Sequence, residues 1–248
     1  MTYSIVAKDP DTGEVAIAVA SRFFACGAIV PFVGPEVAVA SQAFCNPLWG
    51  VEGRARLAGG QPAAAILADF VARDDGHAIR QAHMIDRYGG IAAHTGAECV
   101  DWAGHRAAPG VSVAGNMLAG ASVVEATLAA YQDNLDQPMV ERLLRAMEAG
   151  EAAGGDKRGR QAAGVVIHRG EDYPWLDIRA DDNADPLAEL RRLVEVSNER
   201  YTHFATGLAT KANFSGLSDR SPIDAAIQQA EDERREKGIP SRSFATEV

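Results

Sequence analysis

Tyr3-Ser4-Ile5-Val6-Ala7, then Asp9-Pro10-Asp11-Thr12-Gly13, then Val15-Ala16-Ile17-Ala18-Val19-Ala20-Ser21 open the chain as two apolar runs around a cluster of turn formers. That pattern predicts a β-hairpin. Both runs are apolar at nearly every position, as strands are when both faces of their sheet are covered, so a layered architecture follows. Working outward, a third such run spans residues 36–44, after Gly34-Pro35. The period then turns helical over 50–57 and 62–73, with Pro62 suited to a first helical turn. A second hairpin is read at 81–86 and 91–95 around Arg87-Tyr88-Gly89-Gly90, and a short strand at 110–114. Helices follow at 121–133 and 138–150, strands at 161–168 and 174–180, and an amphipathic helix at 185–196, capped by Asp185 with Pro186 in its first turn. Consecutive hairpins imply mostly antiparallel sheets, and grouped helices imply layers outside a pair of sheets. The expectation is an α+β domain over residues 1–196.

Beyond Val196 the composition turns polar, and residues 197–248 read as a partly helical arm. Ser221-Pro222-Ile223-Asp224 has the form of a capping box, and the helix it opens stops at Gly238. Its apolar stripe is narrow (Ile223, Ala226, Ile227, Ala230), so it is expected to lie on the domain or across a partner subunit.

The 248 residues carry a formal net charge of −10 and no basic stripe, which argues against nucleic acid and anionic membranes as partners. Apolar stretches break off well short of the ~20 residues that span a bilayer, and no leader is read at the N-terminus. A cytoplasmic protein is expected, a two-fold homodimer by default. Cys26, Cys45 and Cys99 are too widely spaced for a disulfide framework or zinc ribbon and read as buried free thiols. The six histidines show neither zincin nor finger spacing, so no metal and no cofactor is expected.

Thr2 carries the sharpest chemical possibility. Removal of Met1 would leave a threonine whose own α-amine, with a pKa of roughly 7.7–8.0, is partly neutral near pH 7 and able to take the hydroxyl proton. For the oxyanion of an amide-cleaving reaction the leading candidate is Gly115-Asn116, where the glycine lets the backbone approach and the asparagine amide supplies an N–H. A left-handed residue at a strand end explains Asn116 equally well. Gly154-Gly155-Asp156-Lys157-Arg158-Gly159 interleaves glycine with charge. It either sets Asp156 against the α-amine and Arg158 against a substrate carboxylate, or makes a plain helix-to-strand turn. Ser21 and Arg22 close the second strand beside the start of the first, and either is placed to orient the nucleophile or bind substrate. Ser4 shares a face with Thr2. Cys26 or Cys45 paired with a histidine is the alternative nucleophile, without a local signature to support it.

Thr2-Tyr3-Ser4-Ile5-Val6-Ala7, Ala18-Val19-Ala20-Ser21-Arg22-Phe23-Phe24, Ser41-Gln42-Ala43, Ala93-His94-Thr95-Gly96, Trp102-Ala103-Gly104-His105, Gly115-Asn116-Met117-Leu118 and residues 154–161 together resemble a bacterial family catalogued as domain of unknown function number 1028, grouped with the N-terminal nucleophile (Ntn) hydrolases. The resemblance covers residues 2–196. It implies a four-layer αββα sandwich with the nucleophile on the first residue of the first strand, here Thr2, and makes His94 and His105 pocket liners. The opening is also similar to proteasome-type Ntn proteins but departs from them. Ala20 stands before Ser21-Arg22 in place of an aspartate, and Cys45 stands near the expected lysine. The expected function is an amidohydrolase acting on a small amide, the alternatives being a small-molecule-binding pseudoenzyme or a structural oligomer built through the arm.

Overall fold

In the computed structural model, which describes residues 2–246, the opening hairpin is β1 (Thr2–Lys8) and β2 (Val15–Ser21), paired antiparallel from Tyr3↔Ala20 to Lys8↔Val15. Its turn closes as its residues dictate. The Asp9 carboxylate accepts from the backbone N–H of Asp11 and Thr12, and Gly13 takes φ 74°, a left-handed value that glycine adopts at no steric cost. β8 (Val111–Asn116) pairs with the other edge of β1. With β7 (Gly104–Ala108), β9 (Ala162–His168) and β10 (Leu176–Ala180) these strands form a six-stranded antiparallel sheet ordered β10-β9-β2-β1-β8-β7. A second antiparallel sheet runs β3 (Pro31–Val33), β4 (Ala38–Ala43), β5 (Arg80–Ile85) and β6 (Ile91–Thr95) in chain order. The chain is therefore α+β with two antiparallel sheets.

The two faces of β1 explain why the hairpin is apolar throughout. Val6, with Val15, Ile17 and Val19 of β2, meets Val33, Ala38, Ala40 and Ile85 of the second sheet in one buried cluster. On the opposite face Tyr3 reaches α5 (Met139–Ala152), its hydroxyl donating to the Met147 carbonyl at 2.9 Å, and α4 (Ala121–Gln132) packs on the same side. The outer face of the second sheet, Val39, Ala82 and Met84, is covered by Trp49 and Leu57 of α2 (Pro47–Ala58) and by Ile66 and Phe70 of α3 (Ala63–Arg73). Each fully buried aliphatic side chain in these layers contributes about 1.5–3 kcal/mol.

The sequence reading missed α1 (Cys26–Ile29), β3 and β7. The first two are four and three residues long. β7 has no buried residue, so neither length nor periodicity marks it. Pro62 stands at the N-cap of α3, one position before the turn expected for it. The chain divides into two compact units between Leu187 and Ala188. The second contains α7 (Tyr201–Ala205) and α8 (Ser221–Glu236), and α6 (Pro186–Glu199) crosses the division. The capping box expected at Ser221 does not form. Ser221 is already helical, Arg220 is the N-cap without a side-chain capping bond, and the Ser221 hydroxyl donates to Asp219. Among the described residues no helix is long and apolar enough to cross a membrane.

Candidate functional site

Antiparallel pairing gathers four chain positions at one end of the six-stranded sheet. β1 starts at Thr2, β2 ends at Ser21, β8 ends at Asn116 and β9 starts at Ala162, with Thr2↔Asn116 and Ser21↔Ala162 in register. The two-residue period places Thr2, Ser4 and Val6 on the face that meets the second sheet. Thr2 is 6% exposed, and its Oγ1 lies 3.1 Å from Ser21 Oγ in a hydrogen bond. Met1, whose removal the nucleophile would require, lies outside the described residues.

Beside this end the layer between the sheets is polar. Gln81 of β5 is its hub. Its Nε2 donates to the Gly115 carbonyl at 2.8 Å and to Thr95 Oγ1 at 2.9 Å, and its Oε1 accepts from Asn116 Nδ2 at 3.0 Å and Gln42 Nε2 at 2.8 Å. A carbonyl only accepts, so Gly115 fixes which way Gln81 points, and every neighbour follows. Gln42 must turn its Nε2 to Gln81 and its Oε1 to Ser4, whose hydroxyl donates to it at 2.6 Å. Ser4 Oγ must then accept from His83 Nε2 at 2.8 Å, and His83 Nδ1 accept from Ser112 Oγ at 2.9 Å. His83 is thereby a neutral Nε2–H tautomer, and complete burial pushes its pKa down to about 3. Thr95 Oγ1 also hydrogen-bonds His105 Nδ1 at 2.9 Å, and burial, then Arg106, lowers the His105 pKa. Ser4 is accordingly a core-facing serine of this network.

The glycine-rich segment packs against the same end of the sheet. Asp156 is buried. Its Oδ2 accepts from the Arg22 backbone N–H and its Oδ1 from the Arg158 backbone N–H, both at 2.8 Å. Arg22 Nη1 donates to the Arg158 carbonyl, and Arg158 Nη2 to the Arg22 carbonyl and to Asp156. One carboxylate and two guanidinium groups thus clamp this loop to the end of β2. Gly154, Gly155 and Gly159 all have positive φ, which glycine alone adopts freely.

A cavity of about 310 Å³ opens beside Asn116. Ala43, Phe44, Ile79, Glu98, Cys99, Val100 and Met117 complete its lining. Among the described residues the non-glycine positions with positive φ are Ala25, Ala43 (67°) and Met117 (54°); two of the three line this cavity. Such geometry costs about 1–2 kcal/mol per residue and is retained where the surroundings impose it. Asn116 itself keeps extended strand geometry, so the left-handed position belongs to Met117. The Met117 N–H donates to the Val100 carbonyl at 2.7 Å, and Cys99 Sγ donates to the Arg80 carbonyl.

The fold therefore brings together Thr2, Ser21, Arg22, Asn116, Asp156 and Arg158. His94 lies elsewhere: it alternates with Thr95 on β6, faces the helices, donates from Nε2 to the His77 carbonyl at 2.8 Å and packs on Trp49. Its neighbour Thr95 faces the layer between the sheets instead, where it accepts from Gln81. Cys26 is buried and its pKa is pushed up to about 12, mainly by burial, so it stays a protonated, poor nucleophile; burial also raises Cys45. Cys45 and Cys99 are half-buried, contrary to the expectation of three buried thiols. Gln42, Gln81 and Ser112 were not singled out from sequence as members of the site. Their signal is polar residues recurring every second position in otherwise apolar strands. Among the described residues no three His, Cys, Asp or Glu side chains gather as a metal-binding group.

The model of a family of unknown function, DUF1028, matches residues 2–190. The crystal structure of protein SPO2555 from Silicibacter pomeroyi, described under the same family model, superposes with a TM-score of 0.81 at 28% identity, covering 88% of this chain and 99% of that one. No curated protein matches the chain.

Proposed function

The chain belongs to the DUF1028 family of unknown function, and we propose that it is an N-terminal-nucleophile amidohydrolase of αββα type that cleaves a small amide with Thr2. The observation that carries this reading is the position of the Thr2 hydroxyl, held by Ser21 Oγ at the first residue of β1 and in register with Asn116. With Met1 removed, the neutral α-amine takes the Oγ1 proton as Oγ1 bonds to the amide carbonyl carbon. The second N–H of Asn116, whose first is held by Gln81, stabilises the oxyanion; a donor of this kind is worth about 3 kcal/mol. The amine returns its proton to the leaving nitrogen as the C–N bond breaks, and water then hydrolyses the ester on Thr2. Asp156 acts as a positioning residue, holding the loop and Arg22 beside Ser21. A two-fold homodimer remains our expectation.

The test is amine release from a panel of small amides by protein lacking Met1. Turnover lost in Thr2→Ala and retained in Thr2→Ser supports the reading; undiminished turnover in Thr2→Ala removes it. One observation favours a second reading, a small-molecule-binding protein without turnover: the cavity is lined by Asn116 and not by Thr2. Saturable binding with no amine released by wild type would select it.

A further inference from the structure

We infer that the cavity beside Asn116 is the subsite for an uncharged, compact apolar group of the substrate, so that the preferred class is a neutral amide bearing a benzene-sized or branched aliphatic substituent. This rests on the reading of Thr2 as nucleophile and names the substrate class of that site.

Phe44, Ile79, Val100, Met117 and Ala43 supply an apolar wall, while Asn116 is the amide-bearing residue within it. About 150 Å³ of apolar space holds benzene, so about 310 Å³ accommodates such a group together with its amide. An apolar enclosure with few placed polar groups is the usual form of a small-molecule site. The walls are tied before any ligand arrives. Phe44 N–H donates to the Ile79 carbonyl, Glu98 N–H to Ala78, Met117 N–H to Val100, and Arg80 Nη1 to the Phe44 carbonyl. A preformed cavity avoids the ordering cost of binding.

Charge decides against an acid. The Glu98 side chain is the charged group in the lining, and a carboxylate brought beside it meets like charge. Arg80, which lies over the Phe44 ring, is already paired with Asp74. Arg22 and Arg158, the candidates in the sequence for gripping a substrate carboxylate, spend donors on each other's carbonyls.

Cys99 lines the cavity and Cys45 does not, which provides a native reporter. Thr2→Ala protein is alkylated with N-ethylmaleimide alone and with phenylacetamide, phenylacetate or acetamide, and modification at each cysteine is followed by peptide mass mapping. Phenylacetamide is expected to slow Cys99 alkylation several-fold and leave Cys45 unchanged, while acetamide and phenylacetate protect neither. Equal protection by phenylacetate, or none by phenylacetamide, overturns the inference. If Cys99 proves inert to the reagent, saturation transfer to the phenylacetamide ring decides. It is expected from the parent protein and lost in Val100→Asp, a substitution at a half-exposed position; transfer unchanged in the variant, or absent from both, overturns the subsite. Turnover that requires Thr2 without Cys99 protection removes the subsite and leaves the nucleophile. Protection without turnover in wild type removes the nucleophile and leaves the subsite.

Discussion

Asn116 and Gln81 are joined across the two sheets: Asn116 Nδ2 donates to Gln81 Oε1 at 3.0 Å, while Gln81 Nε2 donates to the carbonyl of Gly115, the residue before Asn116. The pair closes a small ring in which one backbone carbonyl sets the orientation of both amides. Gln81→Leu removes the Gln81 partner from that carbonyl and from the donors of Asn116 and Gln42 in a buried layer. Each such loss costs about 1–3 kcal/mol, so a destabilisation of about 3–5 kcal/mol is expected. Urea unfolding of wild type and variant measures it; a change below about 1 kcal/mol would show that the network relaxes freely.

His83 predicts a pH dependence. Its folded pKa is about 3 against an ordinary value of 6.5, so below pH 6.5 the unfolded chain binds a proton that the folded chain refuses. Stability contributed by neutral His83 is therefore complete above about pH 6.5 and is lost as pH falls towards 3, at up to about 1.4 kcal/mol per pH unit. His83→Gln removes the titration. Denaturant midpoints at pH 7, 6, 5 and 4 are expected to fall more steeply for wild type than for this variant; parallel curves would contradict the assignment.

How much of this was legible beforehand follows from what a period can report. The hairpin from Thr2 to Ser21 is apolar on both faces, and that property alone announced covered sheets; β1 and β2 matched the runs closely. The approach of Ser21 to Thr2 also follows from the hairpin that the sequence marks, whereas the strand read at 110–114 stops short of Asn116 and no pattern in it gives the pairing with β1. The network does not, because Gln42, Gln81 and Ser112 acquire meaning only when two sheets are superposed, and no single-strand pattern fixes that superposition. His94 illustrates the converse. It sits in a motif beside Thr95, yet a one-residue step on a strand reverses the face, and Thr95 is the one that meets Gln81.

Asp156 is expected to be structural in its energetics and local in its effect. Asp156→Ala frees the backbone N–H groups of Arg22 and Arg158 and costs about 1–3 kcal/mol. Because the clamp holds a loop rich in lysine and arginine, limited trypsin digestion should cut after Lys157, Arg158 or Arg160 faster in the variant. Unchanged cleavage would show that the glycine turn holds itself.

Gly50 lets α2 approach Phe32 of β3 closely on the outer side of the second sheet. A Cβ there would stand 2.1 Å from the Phe32 ring, so Gly50→Ala must displace Phe32 and is expected to destabilise by about 1–3 kcal/mol despite alanine's better helix propensity. Thermal unfolding checks the sign, and a stabilised variant would place Phe32 elsewhere.

Catalysis by Thr2 requires that Thr2 begin the working protein, and the intact mass of chain expressed in its native host with no residue ahead of Met1 reads this directly. The account predicts a mass lower by one methionine residue, leaving the Thr2 amine free to act as base. A chain that keeps Met1 throughout, with its amine blocked from that role, would contradict it.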